Sequence, residues 1–184
     1  MLNFLHEKKK PQILGEILHF VLSHLCVKGI FNPKEQELDN LVKKALFFYT
    51  CTLKDREELR REALDIIKRA INSSLWQEFV KELSSATFVF REIEGFLGTA
   101  GSFVRPDLLV VKDKEVQLWE FKLRESDFNE EQISLYKDFL NQLFSKKKKK
   151  FFLLTFEPFA FRILEDGTSD LFNSTQLSLF KNLS

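Results

Sequence analysis

The first half of the chain repeats apolar residues at three- and four-residue spacing, which is typical of amphipathic helices. In the first such stretch the apolar positions are Leu14, Leu18, Val21 and Leu25. On this basis we predict four helices, over residues 11–28, 33–51, 55–72 and 75–83. Gly29 is suited to end the first helix, and Pro33 is suited to the first turn of the second.

Beyond Ser84 the spacing shortens to the alternation that is typical of β-strands. Strands are predicted over 87–96, 106–111, 116–122, 151–156 and 159–164, with a turn at 98–101. A helix over 129–144 separates the third strand from the fourth, and Asn129 and Gln132 have the spacing of a capping box. One short helix is expected after Gly167. This order predicts a mixed α/β fold in which an N-terminal helical layer packs on the sheet.

The composition favours one domain with a core of its own, since 44% of the 184 residues are hydrophobic. We expect a single domain over 1–184, mostly helical over 1–85 and built on the mixed sheet over 86–184. The net charge of +1 gives no global signal for nucleic acid, so such contacts must come from local patches. No apolar run reaches the roughly 20 residues of a membrane span, and the N-terminus lacks a secretory pattern. With Cys26 and Cys51 interpreted as buried thiols, these features favour a cytoplasmic protein.

The most informative segment is 106–122, in which two apolar runs flank a polar turn at Lys112–Glu115. Whether the loop has two or four residues, the same register places Asp107 opposite Glu120. Directly opposed side chains have Cβ atoms about 5 Å apart, and two like charges at that distance repel each other. Lys122 lies two residues beyond Glu120 and therefore on the same face of the sheet.

Two carboxylates this close are stabilised when a cation lies between them, and a divalent ion with oxygen ligands is the obvious candidate. Together with the ammonium of Lys122 they form a candidate metal and base site. The alternative is that Asp107, Glu120 and Lys122 are ordinary charges at a strand edge. Against that alternative, Glu120 stands between Trp119 and Phe121, and a charge in apolar surroundings needs a partner.

The two halves of this motif, Pro-Asp at 106–107 and Glu-Phe-Lys at 120–122, resemble the PD-(D/E)XK nuclease superfamily. Two further segments resemble its RecB-like branch, the nuclease domain of helicase–nuclease recombination enzymes. Residues 15–19 are similar to that branch's Gly-x-x-x-His helix, and residues 132–136 to its Gln-x-x-x-Tyr helix. The matches follow the family's order over about residues 12–140. Unlike some members, the chain lacks the cysteine set for an iron–sulfur cluster, and it shows no helicase motifs.

The resemblance implies a restriction-endonuclease-like fold, a mixed β-sheet flanked by helices. It implies that Asp107 and Glu120 bind Mg²⁺ or Mn²⁺, with His19 and the Phe121 carbonyl as further ligands. Lys122 is then expected to orient or deprotonate the attacking water or to neutralise the scissile phosphate, beside a metal that acts as a Lewis acid. Asp107, Glu120 and Lys122 are the expected catalytic residues. Judged without the family, a lone histidine on an apolar helix such as His19 is more often a core residue.

Gln132, Tyr136 and Arg105 are candidate DNA contacts. Gln132 and Tyr136 share one helix face, and the resemblance places them at the border of the site, where tyrosine stacks and glutamine hydrogen-bonds. The alternative is a capping glutamine and a core tyrosine. Arg105 precedes Asp107 by two residues and is placed for a phosphate contact. The lysine run at 146–150 is expected to be a solvated loop, and the alternative is a phosphate-binding patch.

These expectations describe a metal-dependent deoxyribonuclease that hydrolyses phosphodiester bonds, with single-stranded DNA ends as the expected substrate. Its expected setting is recombination and double-strand-break repair, with a helicase on a partner chain or fused outside this sequence, and with no membrane. Glu92 or Glu94 is expected to border the site. Two alternatives stay open: a nuclease-like scaffold that binds DNA or a partner without cleaving, and a structure-selective resolvase or RNA nuclease.

Overall fold

Five α-helices and eight strands form the part of the chain described by this computed structural model, residues 10–49, 53–92, 95–97, 102–164 and 169–172. The helices are α1 (Lys10–Lys28), α2 (Glu35–Tyr49), α3 (Leu53–Ile71), α4 (Ser74–Ser84) and α5 (Glu131–Leu143). Each predicted helix within the described residues is confirmed to within two residues at each end.

The ends of α1 and α5 show how local sequence sets a helix boundary. At the end of α1, Gly29 adopts φ 65° and its N–H donates to the Cys26 carbonyl oxygen, while the N–H of Ile30 donates to the Leu25 carbonyl oxygen. This pair of bonds is the Schellman motif, which favours glycine because an L side chain is strained at positive φ. The predicted capping box before α5 is wrong in detail, because the Asn129 side chain accepts from the N–H of Glu131 instead of Gln132.

Six of the strands form one mixed sheet, in the order β1-β4-β5-β6-β7-β8, and β2 pairs separately with β3. The strands are β1 (Phe88–Arg91), β2 (Gly95–Leu97), β3 (Ser102–Val104), β4 (Leu108–Val111), β5 (Glu115–Lys122), β6 (Lys148–Phe156), β7 (Phe159–Leu164) and β8 (Ser169–Phe172). Within the larger sheet, only β5 and β6 are parallel, and α5 makes the crossover between them. The predicted mixed sheet with helices before it is thus confirmed.

The sheet is covered on both faces, by α1–α4 on one and by α5 on the other. On β5, Trp119 and Phe121 belong to the core shared with α1–α4. Leu118 belongs to a second core that includes Tyr136 and Phe139 of α5. Because successive strand residues alternate between faces, the even-numbered positions of β5 face α5, and the helical layer packs on the odd-numbered ones.

Three predictions about strands need correction. The single strand over 87–96 is broken at Glu92, which adopts φ 47°, so that β1 and β2 join different sheets. Neither β3 nor β8 was expected. The lysine run is not simply a solvated loop, because Lys148–Lys150 form the start of β6 and pair in parallel with Glu115–Gln117.

Several expectations fall outside the described residues: the turn at 98–101, the short helix after Gly167, Glu94 and Cys51. Cys26 is described, and it is a buried free cysteine as expected. Across the described ranges, no helix combines the length and the apolar character needed to cross a membrane.

Candidate active site

The register of the β4–β5 hairpin agrees with the prediction. Leu108 pairs with Trp119 and Val111 with Val116, and the N–H of Lys112 donates to the Glu115 carbonyl oxygen at 2.9 Å. Continued by one residue, this register sets Asp107, which lies just before β4, opposite Glu120. The two carboxylates therefore meet at one end of the sheet.

Proline accounts for the way in which Asp107 enters the site. In this register Phe121 would pair with Pro106, which has no N–H to donate, so the backbone ladder ends there. The Asp107 side chain provides the acceptor in place of the backbone, and its Oδ2 accepts a hydrogen bond from the N–H of Phe121 at 2.6 Å. The N–H and C=O of one strand residue point to the same side. The Phe121 carbonyl is therefore directed toward the same side, where Pro106 offers it no donor.

His19 approaches the carboxylates from the helical layer. Its Nδ1 lies 3.2 Å from Asp107 Oδ1, and its ring meets the Phe121 ring edge to face, with centroids 5.8 Å apart. Burial alone would lower the pKa of His19, but the charge of Asp107 and its hydrogen bond outweigh burial, and the pKa is raised. The predicted proximity of His19 to the carboxylates is thus found at Asp107.

Glu120 is held from the α5 side by two donors. Its Oε1 accepts from Lys122 Nζ at 2.7 Å, and its Oε2 accepts from the Tyr136 hydroxyl at 2.8 Å. The residue is only 4% exposed. Burial, followed by repulsion from Asp107, raises the pKa of Glu120 against the opposing effects of Lys122 and Tyr136. A raised pKa for one of the two carboxyls is what their opposition predicts.

The chemical character of these groups suits a divalent cation, since Asp107 and Glu120 offer carboxylates, and His19 and Phe121 offer an imidazole and a backbone carbonyl on the Asp107 side. In the present arrangement each carboxylate oxygen already has a protein donor or a histidine beside it. No group of three or more His, Cys, Asp or Glu side chains among the described residues is positioned to hold an ion. Carboxylate oxygens have further lone pairs, so Asp107 and Glu120 remain suitable metal ligands, with Lys122 as the counter-charge of Glu120 and Tyr136 as its hydrogen-bond donor.

The candidate DNA contacts lie in different surroundings. Tyr136 is buried, and its bond to Glu120 makes it a support of the carboxylate; burial and the Glu120 charge raise its pKa. Gln132 is half-buried, and its Oε1 has no hydrogen-bond partner among the described residues. Arg105 is exposed in the connection between β3 and β4, and its charge opposes the increase in the pKa of Tyr136. The N–H of Glu92 donates to the Asp107 carbonyl oxygen at 3.2 Å, which places Glu92 beside the site.

Sequence reasoning missed the support at the opposite end of the hairpin. Lys147 Nζ donates to the carbonyl oxygens of Lys112 and Asp113, at 2.7 and 2.6 Å, and Lys150 forms an ion pair with Glu115 at 2.9 Å. Two of the five lysines in this run thus hold the turn. This support follows from the parallel pairing of β6 with β5, which periodicity alone does not reveal.

The comparisons with known proteins give little more. No protein-family model matches the chain, and no curated protein matches it. Among solved structures, the chain is similar to protein VC1899 from Vibrio cholerae, with 16% sequence identity and a TM-score of 0.33. The match covers 96% of this chain and 48% of that one, so the chain spans about half the length of VC1899.

Proposed function

We propose that this chain is a metal-dependent nuclease that hydrolyses phosphodiester bonds in DNA. The observation that carries the proposal is the meeting of Asp107 and Glu120 at one sheet end, with Lys122 bonded to Glu120 and His19 beside Asp107. Two opposed and largely buried carboxylates are unfavourable for stability alone, and that cost is typical of functional sites.

Each residue has a role that its surroundings support. Asp107 and Glu120 would hold the divalent ion, with His19 and the Phe121 carbonyl as further ligands; when bound, such an ion provides Lewis acidity and activates water. Lys122 carries its charge at the site and would orient the attacking water or neutralise the scissile phosphate. Tyr136 would keep Glu120 in place by its hydrogen bond.

The deciding experiment is digestion of end-labelled single- and double-stranded DNA by the full chain, with Mg²⁺, with Mn²⁺ and with EDTA. We expect cleavage with either metal and none with EDTA. Asp107→Ala should lose cleavage and metal affinity together. Matched RNA substrates test the alternative of an RNA nuclease, and a branched DNA tests the resolvase.

We further propose single-stranded DNA ends as the substrate, a helicase as the partner, and recombination and double-strand-break repair as the setting. These rest on the similarity of residues 15–19 and 132–136 to the RecB-like pattern. The alternative is a scaffold that binds DNA or a partner without cleaving. A chain that binds DNA but stays inactive with every metal and substrate above would make the scaffold the better proposal.

A further inference from the structure

The end of α2 carries two adjacent phenylalanines that the proposed active site does not use. Phe47 and Phe48 are 75% and 69% exposed, and their rings meet edge to face with centroids 5.8 Å apart. A single exposed apolar residue needs no explanation, but a contiguous exposed group marks a binding surface.

The group continues across α1 to the edge of the sheet. The Phe48 ring lies 6.2 Å from that of Phe20, and His24 stacks on Phe20 with an interplanar angle of 19°. The guanidinium of Arg91 lies 5.8 Å from the centre of the Phe20 ring. We call these five residues, Phe20, His24, Phe47, Phe48 and Arg91, the aromatic surface.

Positive charge surrounds the aromatic surface. Arg91 contacts the Phe20 ring, and Lys28 lies one helical turn beyond His24 on α1. Burial, and after it the charges of Arg91, Lys28 and Lys44, lower the pKa of His24. Over the described ranges, no carboxylate lies within ion-pair distance of Lys28, Lys44 or Arg91. By contrast, the neighbouring Lys43 is paired with Asp39 at 2.7 Å. Exposed aromatic rings among cations that have no ion-pair partner within the described residues suit a ligand that is both flat and anionic.

The aromatic surface and the candidate active site include residues that are adjacent in sequence at two points. Phe20 directly follows His19 in α1. Arg91 directly precedes Glu92, whose N–H donates to the Asp107 carbonyl oxygen. The aromatic surface and the candidate active site thus share α1 and the β1 end as their scaffold.

We propose that the aromatic surface binds single-stranded nucleic acid, with bases stacked on Phe47 and Phe48 and phosphates held by Lys28, Lys44 and Arg91. Stacking on exposed aromatic rings is how proteins hold single strands without reading their sequence, and cations along the groove contact the backbone. Duplex bases are already stacked on one another, so the surface should prefer single strands. That the bound strand is the substrate of the carboxylates rests on the proposed nuclease function, whereas the binding itself requires no cleavage.

Fluorescence anisotropy with labelled oligothymidylate tests this, using the full chain in EDTA so that no cleavage intervenes. We expect the double variant Phe47→Ala/Phe48→Ala to lose about tenfold or more in affinity. Phe88→Ala is the matched control, because Phe88 is 58% exposed and lies on the face of β1 opposite to Arg91. For charge, Lys44→Ala should weaken binding, whereas Lys114→Ala, in the distant hairpin turn, should not.

A spectroscopic test reports stacking directly. Trp76 and Trp119 are 1% and 0% exposed, so a tryptophan introduced by Phe48→Trp is the exposed fluorophore. Its emission should be quenched when oligothymidylate binds, and a duplex of equal length should quench it less. Unchanged emission at saturating single strand contradicts stacking at this position.

The outcomes separate this proposal from the nuclease proposal. If the double variant loses DNA binding and the parent never cleaves DNA, the results support the proposed surface and contradict the nuclease. If the parent cleaves DNA and the double variant binds DNA as tightly as the parent, the result supports the nuclease and overturns the proposed surface. Size-exclusion chromatography adds a further outcome: a parent dimer that becomes monomeric in the double variant, with unchanged DNA binding, would mean that the surface joins two copies of this chain.

Discussion

At the residue scale, Glu120 is a carboxylate whose environment opposes its charge. Burial and the opposed Asp107 raise its pKa although Lys122 and Tyr136 both contact it. A raised folded-state pKa means that the folded protein binds the proton more tightly than the unfolded chain. The contribution of Glu120 to stability is therefore fully present below its ordinary value and lost as the pH rises through its folded pKa.

Glu120→Gln should consequently raise the melting temperature in metal-free buffer near pH 7. The neutral amide keeps the size of the side chain and removes the repulsion from Asp107. We expect an increase of about 2–4 °C, which corresponds to roughly 1 kcal/mol for a chain of this size. The measurement is thermal unfolding of both proteins from pH 4 to pH 8. The gain should grow with pH, and a variant that melts below the parent at pH 7 would show that the ionised pair is not a net cost.

Lys122→Ala should remove cleavage and leave metal and DNA binding largely intact. The ammonium contacts Glu120 and is assigned to the water or the scissile phosphate, not to the metal. A positioned acid–base group contributes about 10²–10⁴-fold to the rate, so the loss is measurable in single-turnover cleavage. Lys150→Ala is the matched control, because that lysine also pairs with a glutamate on β5 but at its other end. Cleavage at the parent rate by Lys122→Ala would disprove the assigned role.

At the element scale, β5 carries a buried polar residue, Gln117, whose side chain bonds to α4. Gln117 is 0% exposed, and its Nε2 donates to Glu82 and Glu115 at 2.7 Å each. Its Oε1 accepts from Trp119 Nε1 at 3.1 Å. The buried amide thus satisfies groups from both elements, and a fully satisfied network of this kind fixes how a helix sits on a strand.

Gln117→Ala should destabilise the fold by about 2–4 kcal/mol, since it leaves the Trp119 N–H without its acceptor and opens a cavity. Chemical denaturation measures this loss as a lower midpoint with an unchanged slope. Lys114→Ala, in the exposed turn of the same hairpin, provides the control and should change stability by less than about 0.5 kcal/mol. Equal midpoints for parent and Gln117→Ala would contradict the network's role.

At the scale of the whole molecule, the site joins both layers of the fold. His19 comes from α1 on one face and Tyr136 from α5 on the other, and the carboxylates of the hairpin lie between them. A ligand bound to these groups therefore couples elements that are far apart in sequence. Binding to the folded state alone stabilises the whole protein.

Millimolar Mn²⁺ or Mg²⁺ should accordingly raise the melting temperature. At a metal concentration about 100 times the dissociation constant the stabilisation is about 2.7 kcal/mol, or roughly 5–10 °C for a protein of this size. Asp107→Asn should show no such shift while remaining folded. Identical melting curves for the parent with and without metal would count against the metal site.

Local sequence determined the helices and the register that opposes Asp107 to Glu120. Apolar spacing defines a helix from within its own segment, and the parity of a short loop defines which hairpin residues face each other. The Schellman end at Gly29 is determined in the same way. These features need no information from distant parts of the chain.

Tertiary structure alone decided the rest. The parallel pairing of β5 with β6 turned part of a lysine run into a strand, and the positive φ of Glu92 divided one apparent strand between two sheets. The contacts of His19 with Asp107 and of Tyr136 with Glu120 join residues from separate helices to one hairpin. Sequence patterns report the face on which a residue lies but not the element that covers that face, because non-local packing determines the partner and orientation of each element.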